Sequence, residues 1–230
     1  MTSTLGDTNL ASLYPFLVGK RQDAVQMHAA LLESVRQKAA ESMAVKQRFF
    51  TEQSEAIVAV AQKLAAVYRS GGRLYTMGNG GSSCDAAHIA VEFQHPVTAG
   101  RPAMPARNLA DDVAMLTAIG NDVGFQHVFV RQVVGQVRRE DALIGVSTSG
   151  NSENLLAAFT AAKRVGAITI GLAGGTGGRM ADSADVDHCL VVPSDSIHRV
   201  QESHVTLYHI LWDLTHTLLA DDRGSAAKEV

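Results

Sequence analysis

The stretch ALIGVSTSGNSENLLAAF, residues 142–159, decides the fold of this chain. A short apolar run at 142–146 is followed by four hydroxyl residues within six positions, and then by a helical pattern from about 153 to 164. Strand, polar loop and helix in this order are typical of a parallel α/β sheet, in which such loops lie at the carboxyl ends of strands and bind ligands. The loop is therefore a candidate binding site.

The hydroxyl residues of this loop are Ser147, Thr148, Ser149 and Ser152. Free N–H groups at a helix N-terminus and the positive end of the helix dipole bind anions, phosphate above all, and hydroxyls add further donors. The alternative is that Ser149 and Ser152 only cap the following helix. One or two hydroxyls would be enough for capping, so four favour a phosphate site.

The same strand–helix alternation extends along most of the chain. We predict strands at 73–77, 142–146, 167–173 and 189–193, and helices at 84–94, 153–164 and 197–219. The region 22–69 contains no glycine or proline and has apolar residues at helical spacing, which predicts one long helix or two helices. The fold class is α/β, with a parallel sheet between two layers of helices, preceded by N-terminal helices.

Two glycine-rich loops do not match nucleotide-binding motifs. In GNGGSS, residues 78–83, Ser83 stands where the dinucleotide fingerprint requires glycine. The loop GGTGGRM, residues 174–180, lacks the Gly-Lys-Ser/Thr of a Walker loop. A phosphate carried by a small substrate fits these loops better than a nucleotide cofactor.

Composition excludes several other classes of protein. The net charge is −3 and the basic residues are scattered, which argues against a nucleic-acid partner. The two cysteines, Cys84 and Cys189, form neither a zinc-ribbon spacing nor a disulfide framework. We find no apolar run long enough for a membrane span and no secretory signal, so we expect a cytoplasmic protein without a membrane partner.

A candidate metal or acid–base pair lies in CDAAHIAVEF, residues 84–93. His88 and Glu92 are four positions apart on a predicted helix and project from one face. The alternative is a partly buried histidine beside a carboxylate with no further role. Cys84, one turn before His88, is a weaker candidate ligand.

The last predicted helix contains four of the nine histidines: His198, His204, His209 and His216. We expect most of them at the surface. Gln201 and His209 are eight positions apart, little more than two turns, and could face one cavity. Spacing alone does not choose among these histidines.

Four motifs together resemble the sugar isomerase (SIS) domain family and, within it, the phosphoheptose isomerases. They are MGNGGSSCDAAHIAVEF, LTAIGNDVGF, GVSTSGNSENLLAAF and HRVQESHVTLYHI, and the resemblance runs from about Val45 to Leu219. It implies a three-layer αβα fold, assembled as a homotetramer with active sites at subunit interfaces. We accordingly expect an N-terminal extension and helix at 1–44 that packs on the domain and contributes to the oligomer, a SIS domain at 45–220, and a flexible tail at 221–230.

The resemblance also implies roles for individual residues. The four hydroxyls of the loop would hold the sugar phosphate, while Glu92 and His209 would act as base and as partner acid/base. One zinc ion per subunit would be bound by His88, Glu92, Gln201 and His209. Further substrate contacts would come from Asn79, Gly80, Gly81, Asn121 and Asp122, together with Glu92 and Gln201.

The implied activity is the isomerisation of sedoheptulose 7-phosphate to glycero-manno-heptose 7-phosphate through an enediolate, assisted by zinc. The sequence departs from the family where an arginine commonly follows the glutamate, since His95 and Pro96 stand there, and at His198. These departures leave open an isomerase of another phosphosugar.

Two non-catalytic functions also fit parts of the sequence. A binding protein similar to the DnaA initiator-associating protein would keep the fold, but that subgroup lacks the glutamate present here as Glu92. A regulatory phosphosugar sensor would need the phosphate loop but not the complete metal set.

Overall fold

The computed structural model describes residues 24–226, the last six of them as backbone only. The chain divides into two units at the junction of Glu41 and Ser42. Helix α1 (Ala24–Glu52) runs through this junction, and its residues before Ser42 expose the apolar side chains of Val25, Leu31 and Val35. The sheet and all other elements belong to the second unit.

The remaining elements include all the predicted strands and helices, with further short elements among them. They are α2 (Ser54–Arg69), β1 (Leu74–Gly78), α3 (Gly81–Gln94), β2 (Ala106–Asn108), α4 (Val113–Asp122), a 3₁₀ turn (Phe125–His127), α5 (Val130–Gln136), β3 (Ala142–Ser147), α6 (Glu153–Val165), β4 (Ile168–Gly174), α7 (Gly178–Asp182), β5 (His188–Val192) and α8 (Ile197–Ala226).

The five strands form one parallel sheet in the order β2-β1-β3-β4-β5. Strands β1 and β3 are direct neighbours, with Leu74 opposite Ala142 and Gly78 opposite Val146. Strand β2 is added on one side of β1, whereas β3, β4 and β5 are added on the other side. Ligands of such sheets bind where the order reverses, here between β1 and β3, beyond the carboxyl ends of the strands. The two polar loops that follow β1 and β3 therefore meet.

Neighbouring residues along a strand point to opposite faces of the sheet. Both faces carry apolar side chains here, and helices cover each of them. On one face, Leu74 and Ile144 pack in a core with α2, α3, α8 and the end of α1. On the other face, Tyr75 and Leu143 pack with side chains of α4, α5 and α6. This confirms the three-layer αβα fold.

Several elements differ from the sequence prediction. The region 22–69 forms two helices, which separate at Gln53. Helix α3 begins at Gly81, three residues before the predicted start, since Gly80 supplies its N-cap with φ of 54°. Helix α8 continues to Ala226, seven residues beyond its predicted end at 219. The short strand β2, the helices α4, α5 and α7, and the 3₁₀ turn were not predicted.

In residues 24–226, no helix has both the length and the apolar character needed to cross a membrane.

Candidate active site

The hydroxyl loop, residues 147–152, follows β3 and leads into α6. Ser147 is 4% exposed, and its Oγ lies 3.0 Å from Oγ of Ser152. Ser152 occupies the N-cap position of α6, but its side chain makes no capping hydrogen bond. Ser149 Oγ accepts a hydrogen bond from the N–H of Asn151, at 3.3 Å. Capping therefore does not explain the hydroxyls, and Ser147 and Ser152 present a paired set of donors.

The glycine-rich loop at residues 174–178 supports the hydroxyl loop from behind. Gly150 has φ of 65°, and a Cβ on it would collide with the carbonyl oxygen of Gly177. A Cβ on Gly174 would lie 2.8 Å from the carbonyl oxygen of Thr148, and one on Gly178 would collide with that of Ser149. The glycines thus allow two backbones to pack directly against each other.

A cavity of about 290 Å³ opens between these two loops and the start of α8. Its polar lining comes from Thr148 and Ser149 of the hydroxyl loop, Thr176 of the glycine-rich loop, and Ser194 and Asp195 before α8. In the described part of the chain, its lining residues include hydroxyls, glycine backbone and the Asp195 carboxylate but no lysine or arginine, which suits a small polar ligand held by hydrogen bonds.

The two polar loops are joined by a reciprocal amide pair. Asn79, directly after β1, donates to Oδ1 of Asn154 at 2.9 Å, and Asn154 donates back to Oδ1 of Asn79 at 2.8 Å. Asn154 is 3% exposed, so this pair is well shielded from water. It fixes the loop after β1 relative to the N-terminus of α6.

Helices α3 and α8 run side by side in the same direction. The contacts His88–Tyr208 and Glu92–Trp212 each join residues 120 positions apart, and the neighbours Gly81 and Gln201 have the same separation. This constant offset means that the helices are parallel and in register. Both begin at the carboxyl edge of the sheet, where the hydroxyl loop lies.

Three of the predicted metal ligands converge between these helices. Oε1 of Glu92 lies 3.1 Å from Nε2 of His88 and 3.9 Å from Nε2 of His209. One ligand atom from each residue can be chosen so that all three lie within 4.8 Å of one another. The side chains are 41%, 20% and 44% exposed for His88, Glu92 and His209, so the cluster is accessible from solvent.

The cluster fits a zinc ion. Nitrogen and oxygen ligands about 2.0–2.1 Å from a tetrahedral zinc lie about 3.3 Å from one another, close to the distances observed here. Two imidazoles and one carboxylate with a position left open are the donor set of catalytic zinc sites.

Gln201, the fourth predicted ligand, points elsewhere. Its amide nitrogen occupies the space that a Cβ on Gly81 would take. Gly81 precedes His88 by seven residues, or about 10 Å along α3. The Gln201 amide thus lies near the N-terminal ends of α3 and α8, and its role as a zinc ligand stays a prediction.

Two buried groups lie behind the cluster. Tyr208 is 2% exposed, and its hydroxyl lies 2.8 Å from Nδ1 of His88. Burial raises the pKa of the Tyr208 phenol, and the negative charges of Asp85 and Glu92 raise it further. Burial also raises the pKa of the Asp85 carboxyl to about 6, while nearby His88 lowers it.

The other predicted substrate contacts are placed as follows. Gly80 and Gly81 form the start of α3. Asn121 and Asp122 lie at the exposed end of α4, where the Asn121 amide donates to the Asp122 carboxylate at 2.8 Å. Within residues 24–226 of one chain, no hydrogen bond or ion pair joins these two residues to the hydroxyl loop or the cluster.

The remaining candidate ligands have other positions. Cys84 is exposed and does not belong to the cluster. The expectation that most histidines of α8 lie at the surface is wrong for His204 and His216, which are 0% and 1% exposed. His204 donates to the carbonyl of Ala173 at 3.1 Å, and His216 packs against Phe93 and Trp212. Both therefore belong to the core.

Sequence reasoning missed four residues that shape the site: Asn154, Tyr208, Asp85 and Trp212. Trp212 donates its indole N–H to the carbonyl oxygen of Glu92 at 2.8 Å, and the Arg101 guanidinium lies 4.4 Å above its ring. Asp85 lies three residues before His88, and Tyr208 directly precedes His209. Whether these two side chains point into the protein depends on how α3 and α8 pack, which the sequence of either helix does not show.

Comparison with known proteins agrees with this geometry. The family model for the SIS domain matches residues 39–174. The phosphoheptose isomerase of Desulfovibrio desulfuricans is 41% identical over 202 residues, which cover 87% of this chain and 95% of that protein.

Two solved structures are also similar. The phosphoheptose isomerase of Francisella tularensis has a TM-score of 0.77 at 32% identity, covering 81% of this chain and 98% of that one. That of Neisseria gonorrhoeae has a TM-score of 0.76 at 36% identity, covering 81% and 99%. The chain therefore belongs to the SIS domain family and, within it, to the phosphoheptose isomerases.

Proposed function

We propose that this protein isomerises sedoheptulose 7-phosphate to glycero-manno-heptose 7-phosphate. The observation that carries the proposal is the meeting of Glu92 with His88 and His209 between α3 and α8, two helices that both begin at the edge of the sheet where the hydroxyl loop lies. The identity to phosphoheptose isomerases over most of the chain supports the choice of substrate.

The phosphate end of the sugar lies at the hydroxyl loop. Ser147, Thr148, Ser149 and Ser152 donate to the phosphate oxygens, and the N-terminus of α6 stabilises their negative charge. The sugar chain then runs along the α3–α8 helix pair, past Gly81 and Gln201. This orientation places the carbonyl end at Glu92.

The reaction moves the carbonyl from C2 of the ketose to C1 of the aldose. Glu92 removes a proton from C1, and the resulting enediolate receives a proton at C2. His209 moves protons between the two oxygens. Because Oε1 of Glu92 faces both histidines, its second carboxylate oxygen is the one that takes the substrate proton.

A zinc ion would be held by His88, Glu92 and His209. Gln201 would join them after its side chain moves to another rotamer. When bound, the metal would supply Lewis-acid polarisation of the carbonyl. The role of the protein side chains is to fix its position and to carry the protons. A half-exposed cluster also suits a site that a second subunit covers, in keeping with the proposed homotetramer and with a contribution of the 1–44 extension to it.

The same proposal includes a cytoplasmic location. It also includes substrate contacts by Asn79, Gly80, Gly81, Asn121 and Asp122. His95 ends α3, since Pro96 follows it, and His198 is exposed at the start of α8. His95 lies three residues after Glu92 and His198 three residues before Gln201, so the proposal assigns specificity for the sugar chain to these two positions.

Turnover in D₂O tests the proton transfer. The proposal predicts deuterium at C2 of the aldose, because a carboxylate base exchanges its proton with solvent during the lifetime of the enediolate. If the aldose that this protein forms carries no deuterium at C2, even when turnover is slow, then Glu92 does not exchange its proton with solvent during the transfer.

A further inference from the structure

Tyr208 packs against both histidines of the cluster, on the side facing the protein core. Its ring contacts His88 and His209 edge-on, with ring centroids 5.2 Å and 5.0 Å away. The phenol is buried, and its hydroxyl reaches Nδ1 of His88 at 2.8 Å. Tyr208 therefore contacts the cluster from its buried side, and it has no role in the proton transfers described above.

The two nitrogens of His88 have separate partners. Nε2 lies 3.1 Å from Glu92, on the side of the proposed metal, while Nδ1 faces Tyr208. A neutral imidazole carries one hydrogen. If Nε2 gives its lone pair to a metal, Nδ1 must carry that hydrogen and donate it to an acceptor.

We propose that Tyr208 is the positioning residue of this metal site: its hydroxyl oxygen accepts the hydrogen bond from Nδ1–H of His88, which holds Nε2 towards the metal. The inference rests on the proposed zinc-assisted function. The acceptor behind a metal-bound histidine is usually a carboxylate, a backbone carbonyl or water, and here a tyrosine takes that place.

The hydroxyl of Tyr208 is buried, and as far as the structure describes the chain, its one hydrogen-bond partner is His88. Asp85 lies one turn before His88 on α3 and has a buried oxygen without a hydrogen-bond partner among the described residues. Tyr208, His88 and Asp85 thus form a small polar group behind the cluster.

Tyr208→Phe tests the inference, because it removes the hydroxyl and keeps the ring. Tyr68→Phe is the matched control: in residues 24–226 the Tyr68 hydroxyl is also buried but has no hydrogen-bond partner. Zinc affinity is measured by competition with a chromophoric chelator, starting from metal-free protein. We expect Tyr208→Phe to bind zinc about 10- to 100-fold more weakly, and Tyr68→Phe to bind it as the unsubstituted protein does.

A second readout separates positioning from packing. In the zinc-loaded protein, NMR should show a protected downfield resonance from Nδ1–H of His88, assigned by its absence in His88→Gln. The resonance should be lost in Tyr208→Phe and kept in Tyr68→Phe, with circular dichroism unchanged in both.

Equal zinc affinity in all three proteins, or a protected resonance that survives in Tyr208→Phe, would overturn the role of Tyr208 alone. An unsubstituted protein that binds no zinc would overturn the proposed metal site as well.

Discussion

Oε1 of Glu92 lies 3.9 Å from Nε2 of His209, although the two residues belong to different helices, α3 and α8. The distance is set by the parallel packing of these helices, whereas His88 reaches the same carboxylate from one turn earlier on α3 itself. A carboxylate between two imidazoles is suited to holding a metal and to accepting a proton.

Replacing Glu92 with glutamine should nearly abolish turnover and leave the fold intact. The amide cannot accept the substrate proton, and removal of a general base costs about 10²- to 10⁴-fold in rate. Turnover is measured with purified protein, with Glu55→Gln, an exposed residue of α2, as the control. Normal turnover in Glu92→Gln would remove Glu92 as the base.

The double substitution of Ser147 and Ser149 by alanine should weaken substrate binding more than it slows the chemical step. Each lost hydrogen bond to a charged phosphate costs about 1.5–3 kcal/mol, roughly 10- to 100-fold in affinity. The Michaelis constant and thermal stability are compared with those of Ser54→Ala, whose hydroxyl donates to the backbone carbonyl of Phe50 at the end of α1. A drop in stability with an unchanged Michaelis constant would mean that the loop has a structural role only.

Gly150→Ala should destabilise the protein and disorganise the hydroxyl loop. The residue has φ of 65°, and the added Cβ would meet the backbone of Gly177. Strain of this type costs about 1–3 kcal/mol. Gly135→Ala in α5 is the control, since its Cβ would meet no atom within 4 Å, and alanine in a helix is neutral or stabilising. Equal melting temperatures for both variants would contradict the packing of the two loops.

His204 should make stability depend on pH. Burial lowers its pKa from 6.5 to about 4, although the hydrogen bond to Ala173 acts in the opposite direction. The unfolded chain therefore takes up a proton that the native state does not hold, and stability falls as the pH decreases from 6.5 towards 4. The slope from one such group is at most about 1.4 kcal/mol per pH unit.

His204→Gln, which keeps a donor for Ala173, should reduce this slope. Urea unfolding of metal-free protein at several pH values measures it. Asp85 contributes with the opposite sign, because its raised pKa lets the native state bind the additional proton, but this contribution is common to both proteins. Identical slopes for the two proteins would show that His204 is not the group responsible.

The strands and helices that the sequence predicted are those with long apolar patterns between glycines. Strands β1, β3 and β4 are buried along nearly their whole length, and strong apolar runs mark them. Strand β2 has only three residues, including Arg107 and Asn108, and pairs with β1 alone at the edge of the sheet. Such a strand has no apolar run by which to recognise it.

The site was predictable in part. Residue types identified the hydroxyl loop and the pair His88–Glu92, while the choice of His209 among four histidines came from family resemblance. The packing register of α3 on α8 is not encoded in either helix alone. For that reason neither the contact of Tyr208 with His88 nor the distance of Gln201 from the cluster could be predicted.

The central claim is tested most directly by following sedoheptulose 7-phosphate by NMR with the purified protein, after treatment with a chelator and again after addition of zinc. The proposal predicts formation of the aldose heptose 7-phosphate, loss of turnover in the chelated protein, and recovery with zinc. Absence of turnover in the zinc-loaded protein would contradict the assignment, and turnover unaffected by the chelator would contradict the metal site.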